Sequence, residues 1–112
     1  MKLIYTLGLL LALNSLNGLS QTSITIPNIF TPDGDGINDV FKIQSSGYDQ
    51  LICTIYNRHG EPVYRFYGLN GSWDGFTHAG IKVTAGVYFV FLEVSLSDGN
   101  SETRQGTIQV SY

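Results

Sequence analysis

The residues best equipped for chemistry lie in one short run, DGDGIND at positions 33–39. Asp33, Asp35, Asn38 and Asp39 bring side-chain oxygens, and Gly34 and Gly36 let the chain bend tightly enough for those oxygens to converge. Several hard oxygens on one tight loop suit calcium, which takes about six to eight of them, and the carbonyl of Ile37 could add one more. The pattern lacks the closing glutamate and flanking helices of an EF-hand. The same side chains serve equally to hold a bare turn, by accepting hydrogen bonds from their own backbone. Both roles are open on the sequence, with calcium the one cofactor to consider.

Other reactive residues are isolated. Cys53, the single cysteine, has no partner for a disulfide and lies inside an apolar stretch, where it reads as a small buried hydrophobe. His59 and His78 have no second histidine or cysteine at zinc-ligand spacing. Trp73, in WDG at 73–75, reads as the cap of a small core whose indole N–H finds a local acceptor. The sequon at Asn70 falls in a Gly-rich loop, where it arises easily by chance. No nucleophile elbow and no phosphate-cradling glycine loop is present, and no pocket-forming segments flank Asp33 and Asp35. The sequence therefore reads as a non-enzyme.

The elements that position these residues are strands. Segments rich in Val, Ile, Thr, Tyr and Phe predict strands over 23–30, 40–44, 51–57, 62–67, 80–83, 87–96 and 103–111. Turn residues separate them: Arg58, His59 and Gly60 close one hairpin, and Ser97 through an Asp98-Gly99 pair to Asn100 closes another. About seven strands at this spacing predict an all-β fold, an immunoglobulin-like antiparallel β-sandwich. The stretch from Val87 to Leu92 is apolar at every position, which predicts a central strand covered on both faces, with Val87 in the core beside Ile55. Cys53, Trp73, Tyr88, Val90 and Leu92 complete the expected core.

The first 20 of the 112 residues read as a targeting segment. Lys2 precedes an apolar run over 3–13, and Gly18 and Ser20 supply small residues ahead of a cut before Gln21. The run is too short to span about 30 Å of hydrocarbon, so no transmembrane span is expected after cleavage. One domain then occupies 21–112. Its five basic and nine acidic residues leave a net charge of −4. That excludes nucleic acid, which demands clustered Lys and Arg, and offers no polybasic patch to a membrane.

Several blocks carry a resemblance beyond composition. IPNIFTPDGDGINDVF at 26–41, IYNRHGEPVY at 55–64, WDG at 73–75, VTAGVYF at 83–89 and GTIQV at 106–110 fall in the order found in the gliding-motility-associated C-terminal domain. The chain thus resembles the type B sorting domain of the type IX secretion system over nearly all of 21–112. The sequence departs from that family at His59, where the family usually has tryptophan, and at Ser111 and Tyr112, where a basic residue is common. The resemblance implies a secretion and surface-attachment signal that ends larger secreted proteins, surface adhesins among them. Its implied partners are the outer-membrane export machinery and a membrane protein that anchors gliding adhesins. The implied destination, after crossing the inner membrane, is the outer-membrane surface or the extracellular space. Here the leader joins the domain with no cargo between them, as in a shortened product or a free-standing adhesive subunit of the same fold. The exposed loops over 31–39 and 57–61 are the segments a partner would read, with Asn57, Arg58, Gly60 and Glu61 as recognition candidates. Arg58 offers a planar fork to a carboxylate, or else a surface hydrogen bond that pins its own hairpin.

Overall fold

The structure, a computed structural model, describes residues 21–112. The leader proposed for 1–20 lies outside the described residues. Within them every regular element is a strand: β1 (Ser23–Thr25), β2 (Ile29–Phe30), β3 (Gln44–Ser46), β4 (Gln50–Tyr56), β5 (Pro62–Tyr67), β6 (Gly86–Ser95) and β7 (Ser101–Val110). Five of them form one sheet in the order β2-β7-β6-β4-β5, and β1 and β3 form a second, two-stranded sheet. This is an open β-sandwich of seven strands, as the sequence predicts.

The long hairpin of β6 and β7 frames the large sheet, pairing antiparallel from Gly86 opposite Val110 to Ser95 opposite Ser101. Its turn forms because Gly99 takes a φ of 95° and the Asp98 carboxylate accepts the Asn100 amide at 2.9 Å. β4 pairs with β6 on one side and with β5 on the other, where a bulge falls between Ile55 and Tyr56. One pairing is not antiparallel: β2 lies parallel to β7, with Phe30 opposite Val110.

Alternation along these strands builds the core. Leu51, Cys53 and Ile55 from β4, Tyr88, Val90, Leu92 and Val94 from β6, and Ile108 and Val110 from β7 all point to one side and are buried. Phe41, Ile43 and Trp73 close over them from the opposite layer, and Phe30 of β2 joins the core from the margin of the large sheet.

Three strand predictions change on contact with the structure. The segment 23–30 divides into β1 and β2 around Pro27, which has no N–H to offer a ladder. The segment 40–44 yields only a bridge from Phe41 to Trp73 before β3 begins, and 80–83 only a bridge from Lys82 to Phe76. The opposite layer is therefore largely loop held by isolated bridges. The expectation that β6 is covered on both faces also fails. It is central in its sheet, but Val87 and Phe89 stand 50% and 46% exposed on the outer face, so Val87 is not a core residue. The apolar run fills one core face and leaves an open apolar face behind it.

That one-sided burial has a measurable signature. Val90→Ala should cost about 2 kcal/mol through the cavity it leaves, and Val87→Ala less than about 0.5 kcal/mol. Urea denaturation of the two variants gives both values; equal losses would mean that β6 is enclosed on both sides.

Candidate functional site

The register places most of the motif segments at one end of the sandwich. There β4 finishes at Tyr56, β7 finishes at Val110 opposite Gly86, and β2 finishes beside Val110. The loops leaving these strand ends are 31–39, the hairpin 57–61, and the segment 74–85.

The 31–39 loop is held by its own carboxylates. Asp39 accepts the amides of Gly34 at 3.0 Å and Gly36 at 2.6 Å, one on each oxygen. Asp33 accepts the Asp35 amide at 3.1 Å, and Asp35 accepts the Ile37 amide at 2.8 Å. Asn38 takes a left-handed φ of 53°, and its carbonyl accepts the Thr31 amide at 2.8 Å, which closes the loop. The Asx-turn geometry expected of these residues is thus present. Carboxylate oxygens of Asp33, Asp35 and Asp39 also lie within 4.8 Å of one another, a spacing at which the three could share a metal ion. The loop is seated on the scaffold through Gly75, whose φ is 91° and where a β-carbon would meet Pro32 Cγ at 3.1 Å.

Trp73 anchors the segment beyond it. Its indole is fully buried, donates to the Phe76 carbonyl at 2.8 Å, and packs against Phe30, Tyr64 and Tyr88 at ring distances of 5.3, 6.4 and 5.7 Å. Tyr88 donates its hydroxyl to the Thr84 carbonyl at 2.7 Å, and Tyr112 donates to the Val83 carbonyl at 2.6 Å. Lys82 Nζ rests 4.2 Å above the Tyr112 ring. Burial, with the neighbouring Tyr88 adding to it, raises the Tyr112 hydroxyl above its ordinary pKa.

In the 57–61 hairpin the four recognition candidates take different parts. Asn57 does the pinning: its Oδ1 accepts the His59 and Glu61 amides, and its Nδ2 donates to the Glu61 carboxylate at 2.9 Å. Gly60 supplies the turn with a φ of 83°. Glu61 is thereby committed to Asn57. Arg58 is exposed and makes no hydrogen bond or ion pair among the described residues.

Two further groups bear on chemistry. Cys53 is buried, and burial pushes its thiol up to about 12, so it stays protonated and unreactive at neutral pH. His78 has a role its sequence context does not announce. Its ring stacks on Tyr64 at 4.4 Å and its Nε2 accepts the Arg65 backbone amide at 3.0 Å, while its own amide donates to the Val63 carbonyl at 3.3 Å. Recognising it from sequence would require knowing that 78 lies beside β5.

Comparison with known proteins adds the following. A family model, the CHU_C type IX secretion signal domain, matches residues 24–110. No curated protein matches significantly. Among solved structures, the crystal structure of CopC from Methylosinus trichosporium OB3b is similar with a TM-score of 0.54 and 16% identity. The match covers 80% of this chain and 89% of that one; at this identity the likeness concerns the fold alone.

The unequal work of the loop carboxylates is testable. Asp39→Ala removes the acceptor of two amides and should cost about 1–2 kcal/mol, against about 0.5–1 kcal/mol for Asp35→Ala, which removes one. Thermal melts of both variants decide it, and the reverse order would displace Asp39 as the hub of the loop.

Proposed function

Because the chain belongs to the type IX secretion signal domain family, we propose that it directs attached cargo through that export route and holds it at the cell surface. The observation that carries this reading is the family match over almost all of the described domain. The function so assigned is recognition, with the outer-membrane export machinery as the partner. The finer reading relates the chain to gliding-motility surface proteins and gives it a second partner, a membrane protein that anchors adhesins. The gathering of the motif loops at one end of the sandwich supports a single reading surface there, since loops on a rigid sheet can present side chains in fixed geometry. Arg58 lies on that surface and makes no hydrogen bond or ion pair among the described residues.

The same proposal gives the 31–39 loop a ligand, calcium. Three carboxylates within 4.8 Å repel one another, and a divalent cation would relieve that repulsion while using oxygens the backbone amides leave free. Asn38 and the Ile37 carbonyl are the nearest further donors in sequence.

Residues 21–112 fused behind a reporter that carries its own leader should bring the reporter to the surface or medium of a cell with a working type IX system. A reporter that stays inside would sink the sorting role and leave the free-standing subunit. Arg58→Ala in that fusion should lower export several-fold while leaving stability within about 0.5 kcal/mol of the parent. Normal export would remove Arg58 from the reading surface. For calcium, the melting temperature should climb as the ion passes its dissociation constant, and Asp35→Ala should abolish the climb. A flat titration at millimolar calcium would leave the loop as a self-sufficient turn.

A further inference from the structure

Between the 57–61 hairpin and the chain from Thr77 to Tyr88 runs a cleft of about 530 Å³. Its lining carries basic side chains and no acidic ones. The described residues carry nine acidic and five basic side chains, yet none of the acidic ones lines this cleft, while Arg58, His59 and Lys82 do. The same lining includes apolar side chains that the fold leaves in solvent: Ile81 is 64% exposed and Val87 50%.

The cations are arranged for an external partner. Arg58 has no hydrogen bond or ion pair among the described residues. Lys82 is steadied by the face of Tyr112, and that ring is fixed by its hydroxyl on the Val83 carbonyl. A π face satisfies part of the ammonium's field but takes none of its three N–H donors in a directed hydrogen bond. The guanidinium and the ammonium thus line a cleft that also carries apolar side chains, and neither makes a hydrogen bond among the described residues.

We propose that this cleft binds an extended, carboxylate-bearing peptide segment of a partner protein, Arg58 and Lys82 taking its carboxylates and Ile81 and Val87 its alternate apolar side chains. An extended chain presents side chains with a period of two, so one segment can offer both carboxylates and apolar side chains to a cleft lined by basic and apolar residues. Charge complementarity selects the acidic peptide, and the cleft's volume lies in the range of sites that enclose small ligands or a few side chains. The proposal deepens the sorting-signal reading and rests on it only for which protein supplies the segment.

The test uses the purified chain and a fluorescein-labelled peptide of alternating aspartate and valine, about eight residues long, read by anisotropy. The peptide should bind, with affinity falling as salt is raised, and its asparagine counterpart should bind at least about fivefold more weakly. Arg58→Ala and Lys82→Ala should each weaken binding about fivefold, Lys82→Arg should retain it, and Arg104→Ala, outside the cleft, should leave it unchanged. No binding, equal binding of both peptides, or wild-type affinity in the Arg58 and Lys82 variants would overturn the proposal. Self-association abolished by both Arg58→Ala and Asp35→Ala would also overturn it, by making the occupant the 33–39 loop of a second copy. The reporter fusion separates the two readings. Export that survives Arg58→Ala together with Lys82→Ala would overturn the assignment of this cleft to the export partner. Failure of the unsubstituted fusion would overturn the sorting role and leave the peptide result intact.

Discussion

An indole with no exposed surface must find an acceptor inside the protein, and Trp73 finds the carbonyl of Phe76. Much of the sandwich depends on that arrangement. Among the described residues, the layer facing the large sheet contains just one two-stranded ladder, so it cannot rely on cooperative hydrogen bonding for its position. Trp73 supplies the connection instead. Its backbone exchanges hydrogen bonds with Phe41, at 2.7 and 2.9 Å, and its ring contacts Phe30 of β2, Tyr64 of β5 and Tyr88 of β6. Burial of a side chain this size contributes on the order of 3–5 kcal/mol, a large fraction of what holds a small domain together. Loops that would otherwise drift are thus tied to both margins of the sheet through one residue.

The division between sheet and loop layer also separates stability from recognition. The strands hold the hydrophobic core, and their ends set where each loop leaves. The loops then satisfy themselves locally. Asp39, Asn57, Asp98 and Thr77 each accept amides from their own turn, so the shapes of these turns need little support from the core. At the end that holds 57–61 and 77–88, the guanidinium of Arg58 and the ammonium of Lys82 make no hydrogen bond or ion pair among the described residues. A surface whose backbone groups are already paired can present such side chains without strain.

The sequence made the large sheet legible because its strands carry dense, one-register signals. Val, Ile, Tyr and Phe alternate with clear turn residues from 50 to 110, and Cys53, Trp73, Tyr88, Val90 and Leu92 are buried as their positions suggest. The second layer was not legible in the same way. A bridge such as Phe76 to Lys82 involves one residue on each side and leaves no periodicity to read. β1 and β2 read as one strand because Ile24, Thr25, Ile26, Ile29 and Phe30 are strand formers on both sides of Pro27-Asn28, and the break depends on where the two halves find partners. Val87 departs from expectation for a different reason. Composition distinguishes apolar from polar, but it cannot say whether a second layer exists behind a strand, and here none of the described chain covers that face. The Asx geometry of 33–39 was readable because it is local, whereas the cleft beside Arg58 joins residues some 25 positions apart through the sheet register.

His78 leaves a consequence for crowded surroundings. The outermost strand of an open sheet normally offers a row of unpaired amides and carbonyls to any other strand, and copies of one protein can then add margin to margin into fibres. On β5 the Arg65 amide and the Val63 carbonyl are taken by a histidine ring and its backbone rather than by another chain. At the other margin β2 covers only the Gln109 and Val110 end of β7, so Ser101 to Ile108 face outward with no strand on that side among the described residues. The sheet is therefore closed by an imidazole along β5 and open along most of β7. With one margin closed, copies crowded on a surface can join β7 to β7 in pairs but cannot add margin to margin without end.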